Sequence, residues 1–152
     1  MYEILIKESE DEGVEIIEMP FKGNIKGLYS DNVIAINKNI ETDKEKKCIL
    51  AEELGHHYTS SGDILDQSKV ENRKQERRAR AWGYSKLVSI ELLIAAFKDD
   101  VTNRYELSKY LDVTEEYIDE ALKYYKEKYG LSHRVNNFIV YFEPLSILEI
   151  WE

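Results

Sequence analysis

Residues 48–57, Cys-Ile-Leu-Ala-Glu-Glu-Leu-Gly-His-His, set four ionisable side chains into a stretch that is otherwise apolar or small. Thr42 precedes the run with Glu45 three residues on, the spacing of a capping box, and Ser60-Ser61-Gly62-Asp63 follows as a breaker. The segment therefore reads as one helix. A helix of this composition is buried along part of its surface, and a buried carboxylate or imidazole needs a partner. Residues i and i+4 share a helix face, which pairs Glu52 with His56 and Glu53 with His57. Small Gly55 lets another element approach closely, at some cost in helix propensity.

Two donors one turn apart, with a carboxylate beside the first, have the spacing of the His-Glu-x-x-His helices of zinc hydrolases. With Glu53 and His57 as ligands, the position of the general base falls on Leu54, which cannot take a proton. With Glu52 and His56 as ligands it falls on Glu53, and only this register gives working chemistry. A third protein ligand is needed. The next long helix, read from about Arg73 to Leu87, offers Glu76 on the motif's side. The competing reading is a solvated acidic face that happens to carry two histidines.

The rest of the chain reads as α+β. Tyr2–Ser9 suits a helix or a strand equally. Gly13–Phe21 is a β-branched strand ending at Pro20, and Gly23–Ile40 is a hairpin turning at Ser30-Asp31-Asn32. A polar connection over residues 60–72 leads to the second long helix, followed by the apolar helix Ile90–Asp99. Two more helices follow, broken near Asp112-Val113, the second capped by Thr114 and ended by Gly130. The tail from Asn137 begins as a strand and ends as an apolar stretch that must pack on something. The expected organisation is a core over residues 1–98 and a helical subdomain over 99–152 with a final strand or apolar tail, packed as one compact unit.

Charge narrows the partners. The 30 acidic residues outnumber the 21 basic ones, giving a net charge of −9 that repels nucleic acid and anionic membranes over most of the surface. Direct nucleic-acid binding and a membrane partner are not expected. The basic run Glu71–Trp82 is better explained by arginines pairing with the acidic excess, or by Arg77, Arg78 or Arg80 meeting a substrate carboxylate. Residues 106–125 have the outline of a helix-turn-helix, but the second helix carries Glu115, Glu116, Asp119 and Glu120, which would face phosphates. The single cysteine, Cys48, the lack of a signal-like N-terminus and the lack of an ~18-residue apolar run point to the cytoplasm. His133, read as lying in a loop, is a minor candidate for transition-state stabilisation, and His57 for a supporting or substrate contact.

Residues 35–60 followed by 75–89 resemble the ImmA/IrrE-type metallopeptidases, whose pattern is a strand, a helix with His-Glu-Leu-Gly-His, and a helix with Glu-x-x-Ala-Asn/Asp-x-Phe-Ala. The similarity spans roughly residues 25 to 95. It implies a zincin-like core in which the small N-terminal sheet packs on the metal-site helix. It also implies His56, Glu52 and Glu76 as metal ligands, Glu53 as the base, Ala79 three positions after Glu76, Trp82 as the aromatic and Gly83 as the small residue after it. One divalent ion is then expected, zinc foremost and manganese second. Two positions depart from the pattern: Glu52 replaces the first histidine, and Arg80 replaces Asn or Asp. A carboxylate in place of imidazole shifts preference toward harder ions such as Mn²⁺. Arg80 removes a partner that would orient a ligand.

The resemblance further implies proteolysis of a helix-turn-helix repressor, in a phage, prophage or other mobile element, and thereby transcription regulation. Two other classes remain. One is a metal-free or inactive zincin-like interaction protein that binds a regulator, suggested by Glu52. The other is a carboxylate-bridged di-metal protein, because Glu53-x-x-His56 fits its Glu-x-x-His element. That last class needs a second such element, which His57 and His133 do not supply.

Overall fold

The computed structural model describes residues 1–59 and 69–151. The breaker at residues 60–63 and most of the connection expected over 60–72 lie outside the described residues. The chain is α+β and forms two compact units, Met1–Lys86 and Leu87–Glu152.

In the first unit, α1 (Tyr2–Asp11) resolves the ambiguous N-terminal segment as a helix. Tyr2, Leu5 and Ser9 are buried at the 3–4-residue spacing of one helix face. Strands β1 (Glu15–Met19), β2 (Gly27–Ser30) and β3 (Val33–Asn37) form a sheet in the order β1-β3-β2. The hairpin β2–β3 turns at Asp31 and Asn32, whose φ of 46° and 64° match the mirror-image turn that suits strand twist. β1 then pairs parallel to β3 on its other side, Ile16 opposite Ile34. The central strand reads as a continuous apolar run because it is covered on both faces: Ile34, Ala35 and Ile36 are all buried.

Helix α2 (Asp43–Thr59) lies on β2, β3 and α1 and buries Cys48, Ile49, Leu50, Ala51, Leu54 and Gly55. Thr42 caps it, its Oγ1 accepting from the Glu45 amide at 3.2 Å. The reciprocal half of the expected capping box gives way to an ion pair: the Glu45 carboxylate sits 3.2 Å from Lys26 Nζ, ahead of β2. Helix α3 (Lys69–Leu87) begins four residues before the sequence-based estimate.

The second unit holds α4 (Ile90–Lys98), α5 (Arg104–Leu111) and α6 (Glu115–Tyr129), followed by β4 (Ser132–Val135), β5 (Phe138–Phe142) and β6 (Leu145–Glu149). Ser89, Asn103 and Thr114 cap the three helices through their side chains. The chain end is a three-stranded antiparallel sheet in the order β4-β5-β6 rather than one strand and a tail. Phe138, Val140 and Phe142 alternate inward against α4 and α6, so the apolar tail finds its packing partner by pairing Ile147 and its neighbours alongside β5. His133 therefore lies on a strand, not in a loop.

The helix-turn-helix outline is present as α5, a turn with Asp112 at φ 55°, and α6. Glu115 and Asp119 of α6 hold Arg104 at 3.2 and 2.6 Å. Replacing Thr114 by Ala removes the acceptor for the Tyr117 amide, and thermal denaturation is expected to show a loss of about 1 kcal/mol. A variant as stable as the native protein would show that this cap contributes nothing.

Candidate metal centre

The centre is built on the contact between α2 and α3. A methyl group placed on Gly55 would lie 2.0 Å from the Ala79 carbonyl oxygen and 2.8 Å from its Cα. Only a residue without a side chain lets the two backbones come this close. Ala79 is fully buried there. With Ala79 seated on Gly55, Glu76 and Arg80, three residues before and one after, flank the contact on the same side of α3.

One ligand atom from each of Glu52, His56 and Glu76 lies within 4.8 Å of the others. His56 Nε2 is 3.1 Å from Glu76 Oε1. That hydrogen bond raises the imidazole pKa against the effect of burial, and the same bond lowers the carboxyl pKa of Glu76. The other ring nitrogen, Nδ1, is buried without a hydrogen-bond partner among the described residues.

Glu53 points under the sheet, its Cγ 3.2 Å from where a side chain on Gly27 would begin. Burial pushes its carboxyl up to about 7, partly opposed by His56 and reinforced by the charges of Glu52 and Glu76. A carboxyl that titrates near neutrality is suited to exchange a proton in either direction.

Arg80 is where the structure says more than the sequence. Its Nε donates to Glu52 Oε1 at 3.2 Å, so the two positions that depart from the resemblance meet each other. Of the two uses expected for these arginines, the pairing with the acidic excess is the one seen for Arg80. His57 is turned aside: its Nδ1 lies 2.8 Å from the Tyr29 hydroxyl, and its ring meets the edges of Tyr29 and Tyr58. Tyr58 in turn stacks on Trp82, which completes an aromatic row across β2, α2 and α3. His133 stacks on Tyr129 at 3.9 Å in the second unit.

Sequence reasoning missed Gly27 and Tyr29. A glycine in a strand is a signal of close backbone approach, and it was available for Gly27. Tyr29 carried no such signal, because its meeting with His57 depends on how β2 lies along α2.

Two carboxylate oxygens and one imidazole nitrogen, converging beside the largely buried carboxyl of Glu53, suit a divalent ion with coordination positions left for water and substrate. Such an arrangement belongs to the class of metal-dependent hydrolases. Residues 9–123, about three quarters of the chain, match the peptidase M78 family, described as the IrrE N-terminal-like domain. The chain belongs to this metallopeptidase family. No curated protein matches it. Among the described residues, no helix is long and apolar enough to cross a membrane.

Proposed function

We propose that the protein is a cytoplasmic metal-dependent endopeptidase whose substrate is a helix-turn-helix repressor of a phage or other mobile element. The observation that carries the peptidase reading is the convergence of Glu52, His56 and Glu76 next to buried Glu53. The repressor as substrate rests on the family resemblance.

Glu52, His56 and Glu76 would hold the ion, with zinc proposed first from the family resemblance and manganese second because two of the three donors are hard oxygens. When bound, the ion supplies Lewis acidity to a peptide carbonyl and to water. Glu53 takes a proton from the water as its oxygen attacks the scissile carbon. It returns that proton to the amide nitrogen as the carbon–nitrogen bond breaks. The hydrogen bond between Tyr29 and His57 and the aromatic row hold the end of α2, and so the height of His56 in the site.

Protein purified without chelator is expected to carry one divalent ion per chain by elemental analysis, and His56→Ala is expected to lose it. A native protein without metal would overturn the proposal. The second reading, a metal-free or inactive interaction protein that binds a regulator, has one observation in its favour: Glu52 already faces a cation, Arg80. Metal content separates the two.

A further inference from the structure

Each carboxylate of the donor group meets a nitrogen-bearing side chain within the chain. Glu76 faces His56 at 3.1 Å, and Glu52 faces Arg80 at 3.2 Å. The two partners differ in kind. His56 is itself one of the three donors, whereas Arg80 has no acceptor atom and keeps its charge throughout the working pH range, so it cannot ligate a metal. Arg80 and a metal ion are therefore rivals for the same carboxylate.

We propose that Arg80 is a built-in competitor for the metal, which latches Glu52 in the ion-free protein and must release it when the centre fills. The inference rests on the reading that Glu52, His56 and Glu76 hold the ion. Its consequence is that Arg80 sets the affinity of the centre, keeping it weaker and more readily reversible than its donors alone would make it.

The geometry suits a latch better than a permanent replacement for the ion. A guanidinium built to replace a metal would be buried and would grip its carboxylate through two parallel bonds. Here the contact is through Nε, and the side chains of Arg80 and Glu52 are 56 and 35% exposed. A pair this exposed contributes at most about fivefold to an equilibrium constant, so an ion can displace it. The half-exposed arginine has solvent to move into. Its placement is also fixed: Arg80 follows Ala79, whose backbone is pressed on Gly55, so the arginine stays within reach of Glu52 after release.

Calorimetric titration of the full chain with Zn²⁺ and with Mn²⁺, at fixed pH and ionic strength, tests this. Arg80→Gln is expected to bind each ion about tenfold more tightly than the native protein, from loss of the latch and of the like charge. Arg80→Ala, an independent variant, is expected to do the same. In a Glu52→Gln background the gain from Arg80→Gln should shrink to about threefold or less, because the latch then has no carboxylate to hold. With excess chelator, Arg80→Gln should melt below the native protein, and saturating metal should close that gap.

If native and Arg80 variants bind one ion with equal affinity, the latch is refuted while the metal centre stands. Equal tightening in both backgrounds also refutes it, reducing Arg80 to a distant repulsive charge. If neither native protein nor variants bind any ion, the metal reading itself has failed, and the inference falls with it.

Discussion

Glu53→Gln is expected to keep the fold and one metal ion per chain while losing at least about 10²-fold in peptidase activity, the typical contribution of a positioned acid–base group. The amide fills the same space under Gly27 and keeps hydrogen-bonding capacity, but it cannot take a proton from water and return it to the leaving amine. Cleavage of a co-expressed helix-turn-helix repressor, followed by immunoblot, gives the readout. If Glu53→Gln cleaves as fast as the native protein, Glu53 is not the base. If the native protein leaves the repressor intact, the proposed substrate is wrong.

The same substitution carries a second signature, in stability. Burial raises the Glu53 carboxyl from 4.5 to about 7, so between those values the folded protein binds a proton that the unfolded chain has lost. Stability of chelator-treated protein therefore falls as pH rises through that window. His56 acts in the same direction: its pKa is raised by the bond to Glu76, and that contribution is lost as pH rises through the raised value. Glu53→Gln removes only the first part. Melting midpoints from about pH 5 to pH 7 should fall less steeply for the variant than for the native protein. Parallel curves would mean that Glu53 does not titrate there.

Gly55→Ala is the substitution expected to damage the structure most. Alanine is the better helix former by about 1 kcal/mol, so an isolated α2 would gain from the change. In the protein the new methyl would meet the Ala79 carbonyl carbon at 2.6 Å and its oxygen at 2.0 Å. Those are backbone atoms, which cannot swing away as a side-chain tip would, so α3 must move off α2. A net loss of more than about 3 kcal/mol in urea denaturation is expected, at the upper end for overpacking. Metal affinity should fall with it, because Glu76 rides on the displaced helix. Gly27→Ala is the control: it meets Ile49 Cγ2 at 2.9 Å and Glu53 Cγ at 3.2 Å, contacts that are longer and made to side-chain atoms instead of backbone. It should cost less, about 1–2 kcal/mol. Similar losses for the two variants would show that the α2–α3 contact is not the tight one.

The amino-acid sequence determined the parts of this protein that follow from local periodicity and local backbone preference. The helical spacing of Glu52 and His56, the cap at Thr42, the Asp31-Asn32 turn, the break at Asp112 and the cap at Thr114 depend on residues no more than about one turn apart. The choice of Glu53 over Leu54 for the base position needed only the ability to carry a proton. Gly55 announced a close approach without saying what approached. The tertiary structure supplied Ala79, and with it the convergence of Glu76 on a helix at least twenty residues away. It also decided that α1 is a helix, that β1 pairs parallel to β3, and that the apolar tail is a third strand of a second sheet. Side chains with several eligible partners were settled only there. Glu45 went to Lys26 instead of completing a capping box, His57 went to Tyr29, and Arg80 went to Glu52 among the acidic partners open to it. In each case the rival pairings are close in energy, and distance in the folded chain chooses between them.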